Sequence, residues 1–151
     1  MSTLRIIRFR LALWFWTKLL PLLAWRGRSL SSLLALAKPR DTTPYSGIPA
    51  DYIINRVKKA TKRPVVMSDR PCLREGILAH RFLRLAGYEP TLHFGLDRES
   101  IARSALSAHC WVVLGRKIVL NPPTPSMMEI LVYANDGLIQ PASLTNSAAL
   151  E

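Results

Sequence analysis

Cys72, His109 and Asn121 are the residues of this chain whose types and spacing suit covalent chemistry. A cysteine attacks as the thiolate, and it needs a base within hydrogen-bond reach and a third group to hold that base in orientation. The stretch 71–87, Pro-Cys-Leu-Arg-Glu-Gly-Ile-Leu-Ala-His-Arg-Phe-Leu-Arg-Leu-Ala-Gly, predicts a helix. Pro71 suits a first helical position, where its missing N–H would be unpaired anyway. Leu78, Phe82 and Leu85 fall on one face, with Ala79 and Ala86 beside them. Gly87 supplies a left-handed stop, and Ser68 and Asp69 are upstream candidate caps. Cys72 therefore falls in the first turn, where unpaired backbone N–H groups and the positive end of the helix dipole favour a thiolate.

The base and its orienting group belong to a predicted hairpin. Residues 108–114 read as a strand, Gly115-Arg116 as a turn, and 117–121 as the return strand, stopped by Pro122-Pro123. With a three-residue loop, residues whose numbers sum to about 230 pair, and His109 lies opposite Asn121. A two-residue loop shifts the pairing by one, and a bulge is then needed to bring the two side chains together. Cysteine at a helix start, histidine on one strand and Asn or Asp on the next is the order of papain-like and transglutaminase-like sites.

On these residues the chain resembles the stand-alone leader peptidase of lasso-peptide biosynthesis, a transglutaminase-like cysteine protease. The resemblance covers about residues 51–122. Its motifs are Cys72-Leu73 with Ala79, Phe82-Leu83-Arg84 with Gly87, Leu92 with Phe94-Gly95, and Ala108-His109 with Trp111-Val112. A polar residue closes the following strand. The resemblance implies that Cys72 is the nucleophile and His109 the base. In that family an Asp orients the His; here Asn121 stands instead, and Asp97 is the other candidate for the role. Asn orients an imidazole but does not offset its charge as a carboxylate does. The substrate implied is a ribosomally made precursor peptide. A separate leader-recognition protein captures the leader, and an ATP-dependent lasso cyclase takes the freed core. The Cys72 backbone N–H at the helix front is a candidate oxyanion donor. This chemistry calls for no metal and no organic cofactor.

The elements that must position these residues form an α+β arrangement, a transglutaminase-like or papain-like core with a helical, apolar N-terminal extension. Three units are expected: the extension and connector over 1–50, the protease domain over 51–140, and a loose tail over 141–151. The predicted helix over 51–62 has Tyr52, Ile53, Val57 and Ala60 on its buried side. Residues 91–97 alternate as a strand with Leu92, Phe94 and Leu96 on one side. Residues 98–107 read as a polar loop. Residues 127–133 read as a short helix or an edge strand, and Asp136-Gly137 as a turn.

The chain has 151 residues, nearly half of them hydrophobic, and a formal net charge of +11. It suits one small domain with a core, and global disorder is excluded. The charge points to acidic partners or an anionic surface. Nucleic acid is disfavoured, because the basic run 56–63 has no interleaved aromatics and no nucleic-acid-binding signature accompanies it. Two cysteines without a CxxC pair leave a reducing cytoplasm as the default setting. A Cys72–Cys110 disulfide would need secretion. Cys72, His109, Cys110 and His93 are spread too widely for a recognised zinc spacing.

Residues 1–40 contain no acidic residue. Arg5, Arg8 and Arg10 precede an apolar run over 11–25 that holds Lys18 and Pro21. The run is short for a membrane span. Arg26 and Arg28 separate it from Ala35-Leu36-Ala37, which mimics a signal cleavage site. The favoured reading is a pair of short helices, broken near Pro21 and near Gly27, that pack on the domain, dock a partner or touch a membrane surface.

Each site residue also has a structural reading. Cys72 alone suits a small core position, and His109 alone suits a hydrogen-bonded strand position. Cys110 alternates to the side opposite His109 and reads as core. His80 and His93 read as structural. Trp111 either shields the His–Asn pair or fills the core. Two readings other than the peptidase follow: a transglutaminase-like scaffold without activity, and a basic membrane-associated interaction protein.

Overall fold

Helix α4, Pro71–Leu85, is the element on which the others pack, and its end residues explain its bounds. Pro71 stands in its first turn. At its other end Gly87 adopts φ +88°, a backbone region open to glycine. The Gly87 N–H donates to the Arg84 carbonyl at 2.9 Å, and the Tyr88 N–H to the Leu83 carbonyl at 3.0 Å. These paired bonds are a Schellman stop. The computed structural model describes residues 3–24, 29–38, 42–62, 70–101, 106–134 and 137–139. Ser68, Asp69, the Gly27 break and the 141–151 tail lie outside them.

Three helices cover α4: α1 (Thr3–Ala24), α2 (Leu30–Ala37) and α3 (Ala50–Thr61). The expected break at Pro21 does not occur, and α1 runs through it as a single helix. Proline lacks the N–H that would bond the carbonyl four residues back, which is that of Thr17. The buried Arg74 of α4 supplies the missing donor, its Nη2 lying 3.1 Å from the Thr17 oxygen. The N-terminal helices also do not stand apart as an extension. Phe9, Leu13 and Leu20 of α1 and Leu33 and Leu34 of α2 are buried in one core with Phe82 of α4. Phe9 meets Phe82 edge-on at 5.4 Å and Tyr45 at 5.6 Å. The connector is tied down as well, by Tyr45 N–H to the Leu85 carbonyl and Tyr88 OH to the Ile48 carbonyl.

Helix α4 in turn lies on one antiparallel five-stranded sheet. Its strands are β1 (Pro90–Asp97), β2 (Ala108–Leu114), β3 (Lys117–Leu120), β4 (Met127–Ala134) and β5 (Gly137–Ile139), in the order β3-β2-β1-β4-β5. The 127–133 run is thus an interior strand, neither helix nor edge, because the three residues of β5 pair along its outer side. A single helical turn, α5 (Arg98–Ile101), opens the segment expected to be loop.

Leu92, Phe94, Cys110, Val112 and Leu120 are buried on the sheet face toward the helices. Gly76 of α4 permits that approach. A Cβ there would lie 2.7 Å from Leu92 Cδ1 and 3.2 Å from Cys110 Sγ. The β2–β3 hairpin turns on two residues, with Gly115 at φ +60°, the positive φ that a primed hairpin turn demands. Leu114 pairs with Lys117 and Val113 with Ile118. A register shift follows, and Val112 pairs with Leu120. The loop has two residues and a bulge follows, but the bulge shifts the pairing away from a His109–Asn121 match, so the two side chains are not brought opposite each other. The extra residue lies on β3, so Leu120 reaches only Val112 and the paired ladder ends before His109.

Candidate active site

Cys72 sits in the first turn of α4, half-buried, with its backbone N–H among those that helix geometry leaves without an intrahelical partner. Its thiol is lowered from the ordinary 9.0 to about 5. The largest cause is a hydrogen bond from the Cys110 thiol. Burial opposes ionisation, and the Cys110 backbone N–H, the charge of His109 and a hydrogen bond from His109 favour it. The bond to Cys72 and burial push the Cys110 thiol up, so Cys110 keeps its proton and donates it. Of the two sulfurs, the more accessible one carries the charge.

Cys110 was expected in the core, and it is buried there, but its contact with Cys72 was not foreseen. Alternation along β2 separates Cys110 from His109, yet the front of α4 meets both. A signal existed at Gly76, one helical turn after Cys72 and on the same face. A side chain there would meet the sulfur of Cys110.

His109 is the second residue of β2. Its Nε2 lies 3.1 Å from the backbone carbonyl oxygen of Asn121. A carbonyl only accepts, so Nε2 carries the hydrogen and Nδ1 is left for the Cys72 sulfur. Asn121 thus meets His109 through its main chain. Its φ is +52°, and among the described residues it is the one non-glycine in the left-handed region. Asn tolerates that region better than most residues. The kink ends β3, aims the carbonyl at His109, and sends the side chain the other way. There Nδ2 donates to the Cys72 carbonyl at 3.4 Å. That second bond gives a physical reason for an amide side chain at this position. A carboxylate has no proton to donate and would face the Cys72 carbonyl oxygen. The Asp97 carboxylate accepts the Glu99 backbone N–H at the start of α5, at 3.1 Å.

Behind His109 the rings form a stack. Trp111 lies 6.4 Å from His109 with an interplanar angle of 22°, and 5.7 Å from His93 at 20°. Gly95 makes room for it, since a Cβ there would lie 3.0 Å from the Trp111 ring. His93 Nδ1 pairs with Glu129 Oε2 at 2.5 Å, and its Nε2 with Thr91 Oγ1 at 2.8 Å. His93 therefore has partners that the sequence did not reveal, because Glu129 lies on β4, across the sheet. His80 is buried against Tyr133, and burial pushes it down to about 4, so it stays neutral.

A polarised thiolate, an imidazole held by a fixed carbonyl and a helix front with free N–H groups can carry out acyl transfer to sulfur. No curated protein and no solved structure matches the chain. The model of the transglutaminase-like superfamily matches residues 13–130, from within α1 to within β4. That span takes in α4, the hairpin and most of the sheet, a mixed helix and antiparallel-sheet domain compatible with a cysteine-protease-like fold. With most of its length matched, the chain belongs to the transglutaminase-like superfamily.

Proposed function

We propose that this protein is a cysteine peptidase that removes the leader from a ribosomally synthesised lasso-peptide precursor. The observation that carries the peptidase reading is the Cys72 thiol, lowered to about 5 at the front of α4 beside His109. The leader specificity rests on the resemblance of the motifs around Cys72, Phe82, Gly87 and His109.

In the proposed reaction the Cys72 thiolate attacks the carbonyl at the leader–core junction, with its own backbone N–H facing the oxyanion. His109, oriented by the Asn121 carbonyl, passes a proton from Nδ1 to the leaving amine. The C–N bond breaks and a thioester remains. His109 then takes a proton from water, which attacks the thioester, releases the leader acid and returns the sulfur. The partners proposed are the leader peptide, a separate leader-recognition protein, and a lasso cyclase that accepts the core.

Mass spectrometry of a leader-containing precursor, incubated with the protein and its recognition partner, tests this. The expected result is one cut at the leader–core junction, lost in Cys72→Ala and His109→Ala. Removal of a nucleophile or its base lowers turnover by roughly 10³-fold or more. Cleavage that survives Cys72→Ala would remove Cys72 as nucleophile. A peptide bound but left intact by the wild type would favour a scaffold without activity.

A further inference from the structure

Helix α1 is apolar on two opposite faces, and the fold uses only one of them. Phe9, Leu13 and Leu20 are buried against the domain, at 0%, 3% and 0% exposure. Leu4, Ile7, Leu11 and Trp14 repeat at three- and four-residue steps on the other side, with Phe15 beside them and Leu22 further along the same side. Trp14 is 64% exposed and Leu4 65%. At 100° per residue this stripe is centred opposite Phe9. The exposed cations Arg8 and Arg10 flank it, and Lys18 lies within it on a stem long enough to reach outward. Residues 1–40 hold no Asp or Glu to counter them.

From this placement we infer that α1 docks the protein, in plane, on an anionic lipid surface. The stripe enters the boundary between headgroups and acyl chains, Trp14 sits at that boundary, and Arg8, Arg10 and Lys18 meet lipid phosphates. Charge selects this occupant over a second copy of the chain. A self-paired stripe would bring Arg8, Arg10 and Lys18 of two copies together, in a protein of net charge +11. Among the described residues no helix is long and apolar enough to cross a membrane, so the contact is with the surface. The inference is independent of the peptidase reading.

Co-sedimentation of the full-length protein with large unilamellar vesicles tests it, using phosphatidylcholine alone and phosphatidylcholine with phosphatidylglycerol. The expected result is binding to the anionic vesicles that weakens with added salt. Leu11→Ser with Trp14→Ser should lower the partition coefficient at least tenfold. Arg8→Gln with Arg10→Gln should lower it by about fivefold per charge, the effect of one basic residue near such a surface. These side chains are exposed, so both variants should keep the wild-type circular dichroism spectrum and melting temperature. A pair that unfolds is replaced by Leu4→Ser with Leu22→Ser, read against the same expectation. Three results would overturn the inference. One is no binding to anionic vesicles, and another is binding unchanged by the folded stripe variants. The third is a wild-type dimer that Trp14→Ser converts to a monomer, which would assign the stripe to a second copy.

Discussion

At the scale of single residues, the unusual feature is that one cysteine ionises another. The Cys110 thiol donates to Cys72, and this bond is the largest cause of the depression to about 5. Cys110→Ala should therefore move the midpoint of Cys72 alkylation by iodoacetamide upward in pH. Cys110→Ser, which keeps an O–H donor, should leave it nearer the wild-type position. An unchanged midpoint in Cys110→Ala would mean that His109 alone holds the thiolate. The same shift has a consequence for stability. Between about 5 and the ordinary 9.0 the unfolded chain binds a proton at Cys72 that the folded chain does not. Stability from this residue is thus fully present above 9.0, and it is lost as pH falls through about 5. Differential scanning fluorimetry should show the melting temperature of wild type relative to Cys72→Ala rising from pH 5 toward pH 9.

Asn121 offers a second test at this scale, because its two contacts separate. The carbonyl that holds His109 belongs to the backbone, and the side chain holds the Cys72 carbonyl. Asn121→Gly keeps the carbonyl and suits φ +52°. It should retain activity within about tenfold, the loss of one modest hydrogen bond. Asn121→Val places a β-branched residue in the left-handed region, at a cost of about 1–3 kcal/mol, and should lose more of both activity and stability. Asn121→Asp should be less active than wild type, since a carboxylate would face the Cys72 oxygen. Kinetics of the three variants on one peptide would order them. A fully active Asn121→Asp would show that the side chain reorients to His109.

At the scale of elements, the long-range repair of α1 decides how the N-terminal half is built. Proline in a helix interior costs about 3 kcal/mol, and the local rule breaks the helix there. What the local rule lacks is Arg74, a donor 57 residues away in sequence that meets the freed Thr17 carbonyl. A double-mutant cycle on Pro21 and Arg74 tests the link. Pro21→Ala returns an N–H to the Thr17 carbonyl and makes the arginine partly redundant. Arg74→Met should destabilise the wild-type background by about 1–3 kcal/mol, the cost of an orphaned buried carbonyl. It should destabilise Pro21→Ala by about 1 kcal/mol less. Urea denaturation of the four proteins measures this, and strict additivity would mean that Arg74 acts by packing alone.

The same scale shows what the sequence made legible. Helix α4 was readable at both ends, because Pro71 and Gly87 are local punctuation whose effect needs no tertiary partner. The hairpin was readable as far as its two strands and the Gly115-Arg116 turn, with the loop length left open. It was not readable that Asn121 would turn left-handed and present its carbonyl, because that depends on where Cys72 ends up in space. Cys110 was assigned by alternation, a rule about one strand, and its contact with Cys72 arises from the way a helix front crosses that strand. Strand β4 was ambiguous because short apolar runs suit either state, and its partners β1 and β5 resolved it.

At the scale of the whole molecule, the N-terminal helices realise one of the sequence alternatives, packing on the domain, and do so as part of its core. A basic, acid-free segment ahead of a recognisable domain suggests an appendage, and an appendage could be removed without loss. The structure argues otherwise, since Phe9, Leu13, Leu20, Leu33 and Leu34 are buried in the core that also holds Phe82. Full burial of a large apolar side chain contributes about 1.5–3 kcal/mol. Five of them are comparable with the entire stability of a small domain, about 5–15 kcal/mol. The family match, which begins within α1 at residue 13, agrees with a domain that includes these helices. A chain that starts at residue 41 should therefore show no cooperative thermal transition and should expose its core to a hydrophobic dye. Trp14→Ser alters the same helix on its outer face and should melt like the wild type. If the shortened chain instead melted cooperatively near the wild-type temperature, the core would lie wholly within residues 42–139. The helices would then be the appendage that their composition suggests.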